Sequence, residues 1–140
     1  MKTRVALCVM AAMALASTRG FAAPPDATKA AVAGATAWLS LVDDGRYADS
    51  WKEASSFFRG SIGQARWTAA LDATRKPLGK RRSRTLDRAT ETMSPPGAPA
   101  GRYVVMQFKT SFQGRASAIE TVTFVLDKDG AWRSAGYFIQ

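Results

Sequence analysis

The chain of 140 residues carries 20 Lys and Arg against 11 Asp and Glu, a formal charge of +9, with no histidine and a single cysteine. The missing imidazole removes the usual general base near neutral pH and the commonest metal ligand. One cysteine builds neither a disulfide nor a thiolate metal centre, so catalytic triads and zinc sites are excluded and no cofactor is expected.

The first residues read as a secretory signal. Lys2 and Arg4 precede an apolar run, Val5 to Ala16, and Gly20-Phe21-Ala22 places small residues at the cleavage positions. Processing is expected after Ala22, with export to the periplasm or the medium. A membrane anchor needs roughly 20 apolar residues, and Ser17, Thr18 and Arg19 end this run sooner. Cleavage also removes Cys8, and Ala23 to Gln140 is then a length for one domain that buries about two thirds of its unfolded surface.

Asp26, after Pro24-Pro25, is the expected N-cap of a first helix, with Ala31, Ala35, Trp38, Leu39 and Val42 recurring along one face and an end near Asp43-Asp44-Gly45. A second helical stretch carries Tyr47, Trp51, Ala54 and Phe58 on one face and stops at Gly60. Ser61 with Gln64 is a capping-box pattern for a third helix bearing Ala65, Trp67, Ala70 and Leu71, ended or bent by Pro77. After Gly79 the period changes from helical to alternating, weakly at first through Thr85, Leu86, Ala89 and Met93. The Ser94 to Pro99 segment, rich in proline, is a rigid loop.

Tyr103 to Phe112 sets Val104, Met106 and Phe108 against Tyr103, Val105 and Gln107, and Ala116 to Leu126 sets Ala118, Glu120, Val122, Phe124 and Leu126 against their neighbours. Both predict strands, with Gly114 in the turn between them. Asp127 to Gly130 leads into a last strand, Ala131 to Gln140. Three helices followed by about four antiparallel strands in a meander predict an α+β roll, a curved sheet wrapped on a helix.

The segments WLSLVDDGRYADSW (Trp38 to Trp51), RKPLG followed by Ser83-Arg84, PGAP (Pro96 to Pro99) before GRYVVMQFKTSF, ETVTF (Glu120 to Phe124) and WRSAGYFIQ together resemble a family of small exported bacterial proteins, domain of unknown function 4019. The resemblance spans nearly all of the chain after Ala22 and brings no activity with it. The family's length and helix-then-sheet order are in turn similar to the nuclear transport factor two-like or cystatin-like roll, and that analogy implies a homodimer through the sheet face. The family resemblance also implies that Arg75, Pro77, Leu78, Gly79, Ser83 and Arg84 are architecture, while Lys80, Arg81 and Arg82 are additions.

Three candidate sites follow. The run RKPLGKRRSR puts Arg75, Lys76, Lys80, Arg81, Arg82 and Arg84 close together. It reads either as a contact for anionic envelope components, including a membrane surface, or as a solvated connector. Nucleic acid is not expected, because no aromatic residue interleaves the run to stack on bases.

Trp38, Tyr47, Trp51, Phe57, Phe58 and Trp67 read either as core or as the lining of a cavity for a small apolar ligand. Tyr47, Trp51, Trp67, Glu120 and Tyr137 form the candidate ligand-binding set. Glu120 shares a strand face with Val122 and Phe124 and is expected to point inward. It is then either paired with a base such as Arg84, Arg102 or Arg133, or is a catalytic base of an isomerase or hydrolase with Tyr103 or Tyr137 as donor. Asp43-Asp44 reads either as a capping and turn element, the commoner role of an acidic pair at a helix end, or as a cation site. The function expected is a non-enzymatic binding or interaction module of the cell envelope, with Glu120 and a tyrosine as the catalytic alternative.

Overall fold

The computed structural model describes residues 25–140, so the expected signal sequence lies outside the described residues. Helix α1 (Pro25–Asp43) precedes three shorter helices, α2 (Tyr47–Lys52), α3 (Ser56–Ser61) and α4 (Gln64–Arg75). Four strands complete the fold: β1 (Arg81–Thr92), β2 (Tyr103–Phe112), β3 (Arg115–Leu126) and β4 (Trp132–Ile139). The architecture is α+β, with the helices on one face of a curved antiparallel sheet of order β1-β2-β3-β4.

The apolar stripe of α1 behaves as its spacing predicts. Ala31, Ala35, Trp38, Leu39 and Val42 are all buried, because residues three and four apart share one side of a helix. Asp26 lies within α1 rather than ahead of it. None of the described helices is long and apolar enough to cross a membrane.

The expected second helix is two. The Ser55 amide turns away to donate to the Ser134 carbonyl of β4 (2.9 Å), while its hydroxyl accepts from the Phe58 amide (3.2 Å) and starts α3 afresh. Ser61 does not open α4 as a capping box. It is the last residue of α3, its hydroxyl donates back to the Phe57 carbonyl (2.8 Å), and Gly63 is the N-cap of α4.

Alternation sets the faces of the sheet. Val104, Met106 and Phe108 of β2 and Glu120, Val122 and Phe124 of β3 are buried, under the helices. Successive rows across the inner face read Arg84, Thr110, Ala118; then Leu86, Phe108, Glu120, Ile139; then Ala89, Met106, Val122, Tyr137. Glu120 therefore sits one row along from Arg84 and diagonal to both Thr110 and Tyr137, within reach of all three side chains.

Candidate functional site

The RKPLG segment is a tight reversal. Helix α4 ends at Arg75, and the Gly79 amide returns to the Arg75 carbonyl (3.2 Å) with a φ of 71°, a left-handed conformation that favours glycine. The turn faces the β2–β3 hairpin, where the Gly114 amide donates to the Leu78 carbonyl (2.7 Å) and the Gln113 amide to the Lys80 carbonyl (2.8 Å). Arg75 at the end of α4 and Arg84 on β1 are thereby aimed at the same point, the C-terminal end of α1. Asp43 stands there.

Arg84 donates through Nη1 and Nη2 to both oxygens of Asp43 (2.8 and 2.9 Å), and through Nε and Nη2 to both oxygens of Glu120 (2.7 and 3.1 Å). Arg75 Nη2 donates to Asp43 (2.9 Å) and Arg81 Nε does the same (3.0 Å). The Arg75 guanidinium carbon also lies 4.8 Å from the centre of the Phe112 ring, a cation–π contact. Thr110 and Tyr137 hydroxyls both donate to Glu120, and Arg75 Nη1 approaches the Tyr137 oxygen at 3.4 Å. Glu120 is fully buried, and the side chains of Arg75, Arg84 and Asp43 are 5%, 9% and 13% exposed.

These contacts fix the protonation states. Burial alone raises the carboxyl of Asp43, but hydrogen bonds from Arg84 and Arg75 outweigh it and hold the group below its ordinary value. Burial, reinforced by the neighbouring Glu120 charge, pushes the Tyr137 phenol well above its usual range, so it stays a donor. Each Glu120 oxygen accepts twice, Oε1 from Arg84 and Thr110 and Oε2 from Arg84 and Tyr137. No acceptor site remains to take a proton from a substrate, and the geometry carries an ion-pair hub rather than a general base.

A separate cleft of about 520 Å³ opens between α1, α2 and the start of β4. Its apolar side is Gly34, Ala37, Trp38 and Leu41 with Phe124, Ala131 and Trp132; Arg46, Asp49, Lys52, Glu53 and Arg133 complete the lining. The indole N–H of Trp38 is already taken by the Ser50 carbonyl (2.8 Å), so this ring offers the cleft only apolar surface. A Cβ on Gly34 would stand 3.1 Å from the Phe124 ring. Glycine lets α1 come down onto β3 there and sets the floor of the cleft.

The residues singled out in the sequence part company in space. Tyr47, Trp51, Trp67, Glu120 and Tyr137 do not converge on the large cleft. Trp51 donates to the Ile62 carbonyl (2.8 Å) and Trp67 to the Ser50 hydroxyl (3.0 Å). Trp67 packs edge-on against Phe58 and Tyr137, and Trp38 against Phe124 and Tyr137, so these rings are core.

Tyr103 donates to the Pro99 carbonyl (2.8 Å) and stays apart from Glu120. Of the basic run, Arg75 and Arg84 are interior because the buried Glu120 and the half-buried Asp43 need them, and Arg81 is drawn to Asp43. Lys76 rests 3.7 Å from Asp72, while Lys80 and Arg82 are exposed. Asp43 is the centre of the network instead of a turn element. Sequence reasoning did not place Gly34, Phe124 or Trp132 at a cavity, although a lone glycine inside an alanine-rich helix was a usable signal. Among the described residues no group of acidic, His or Cys side chains is arranged to hold a metal ion.

No curated protein matches the sequence. One family model does match, over residues 34–137, a span that runs from the middle of α1 almost to the end of β4. The chain belongs to that family, described as Protein of unknown function (DUF4019).

Proposed function

We propose that this chain is an exported, non-catalytic binding domain of the bacterial cell envelope, which takes a small, largely apolar ligand in the cleft between α1, α2 and β4. The observation that carries the reading is the composition of that cleft. Trp132 with Ala37, Leu41 and Ala131 supplies its apolar surface, the core rings of Trp38 and Phe124 back that surface from beneath, and five charged side chains stand around it. A concave apolar surface with a few polar groups at its edge is the usual form of a small-ligand site. Catalysis by Glu120 with a tyrosine loses its support, because both carboxylate oxygens are already filled by Arg84, Thr110 and Tyr137.

One experiment reads both export and binding: native mass spectrometry of the protein recovered from the periplasm of an exporting bacterium. The expected species is Ala23 to Gln140 carrying an added mass, and Ala37→Trp, which fills the cleft from the exposed side of α1, loses that mass while remaining folded. A retained N-terminus ending the export reading, or an added mass that persists in Ala37→Trp, would remove the corresponding half of the proposal.

A further inference from the structure

Strand β4 is an edge of the sheet, and its first half is covered, since the Ser134 carbonyl accepts from the amide of Ser55, the N-cap of α3 (2.9 Å). The second half is open. Ile119 and Gln140 exchange both backbone hydrogen bonds (2.9 Å each), so alternation places Thr121–Phe138 among the bonded pairs and Glu120–Ile139 and Val122–Tyr137 among the unbonded ones. The N–H and C=O groups of Tyr137 and Ile139 consequently point away from the sheet. Beside them runs a groove of about 200 Å³, walled on the far side by Trp67, Ala70, Leu71 and Thr74 of α4. Phe138 is 51% exposed next to it.

The geometry points to a peptide-docking groove: a short extended segment adds as a fifth strand along Tyr137 to Ile139 and inserts one aliphatic side chain between β4 and α4. An extended backbone is the ligand that matches two outward N–H and two outward C=O groups at strand spacing. The apolar wall selects an aliphatic residue. A second copy of this chain fits less well, because a stable dimer buries about 1,200 Å² or more, and the covered Ser134 limits the open edge to a few residues.

The test begins with selection of a displayed random heptapeptide library on the purified chain, followed by amide hydrogen exchange with a selected peptide. The expected peptides share an aliphatic residue and slow exchange at the Tyr137 and Ile139 amides. Ile139→Pro removes an outward N–H without breaking an internal bond, as an edge strand tolerates, and should weaken binding by about tenfold or more. Ala70→Trp fills the groove from α4 without touching the strand and should do the same. The proposal is overturned by a selection that enriches nothing, by unchanged exchange at Tyr137 and Ile139, or by full affinity in Ala70→Trp. It is equally overturned by a concentration-dependent dimer that protects those amides, which would give the edge to a second copy.

Discussion

Glu120 carries its charge without solvent, held by one guanidinium and two hydroxyls. Removing one member of a buried pair leaves the other uncompensated, at roughly 3–5 kcal/mol. Glu120→Gln keeps the shape but faces Arg84 with a neutral amide, and should lower unfolding stability by about 2–4 kcal/mol, read as a shift in the urea midpoint at constant m-value. A midpoint equal to wild type would sink the hub assignment.

Asp43 adds a pH dependence. Its folded carboxyl ionises below the ordinary 3.8, so folding favours the charged form. That contribution is present in full above the ordinary value and fades as the pH falls through the depressed one. Asp43→Asn should flatten the acid limb of the stability–pH curve below about pH 4, and an unchanged limb would show that other carboxylates govern acid unfolding.

Among the elements, the turn between α4 and β1 is set by two glycines with different reasons. Gly79 supplies a positive φ, whereas Gly114 supplies space: a Cβ there would lie 2.6 Å from the Pro77 carbonyl oxygen and 3.2 Å from that of Leu78. Both are backbone atoms and neither yields readily. Gly114→Ala should cost about 1–3 kcal/mol and loosen the basic turn, visible as faster exchange of the Gln113 amide; an unperturbed amide would mean the hairpin shifts freely.

The strands β2 and β3 were legible because alternation over ten or more residues survives every local irregularity. The break between α2 and α3 was not, since Trp51, Ala54 and Phe58 keep helical spacing straight through it and the group responsible, the Ser134 carbonyl, arrives from β4. The inward placement of Glu120 follows from alternation alone. Its partner does not, because Arg84, Arg102 and Arg133 were equally eligible until the registers of β1 and β4 were known. Arg102 in fact meets Glu91 (2.6 Å) and Arg133 meets Asp129 (2.7 Å).

For the molecule as a whole, the charge of +9 overstates what the basic run presents to a partner. Arg75 and Arg84 are spent inside, and the outward cations of the run are Lys76, Lys80 and Arg82, with Arg88 further along β1. We expect weak association with anionic phosphatidylglycerol vesicles that is lost between about 50 and 200 mM salt and reduced further in the Lys80→Gln, Arg82→Gln double variant. Co-sedimentation that is flat in salt, or indifferent to the double change, would leave the run as a connector only.

The shared guanidinium of Arg84 reaches beyond stability. It joins α1, β1 and β3 through two acids, and Arg75 joins α4 and β4 to the same cluster through Asp43 and Tyr137. Any single exchange of a charged member strands a buried charge, although a concerted apolar replacement of the whole set need not. Sequence change at this centre is therefore confined by its own intermediates: the helices and strands that meet there are free to diverge at their surfaces, while a change at Asp43, Arg84 or Glu120 alone carries a stability cost that a concerted change avoids.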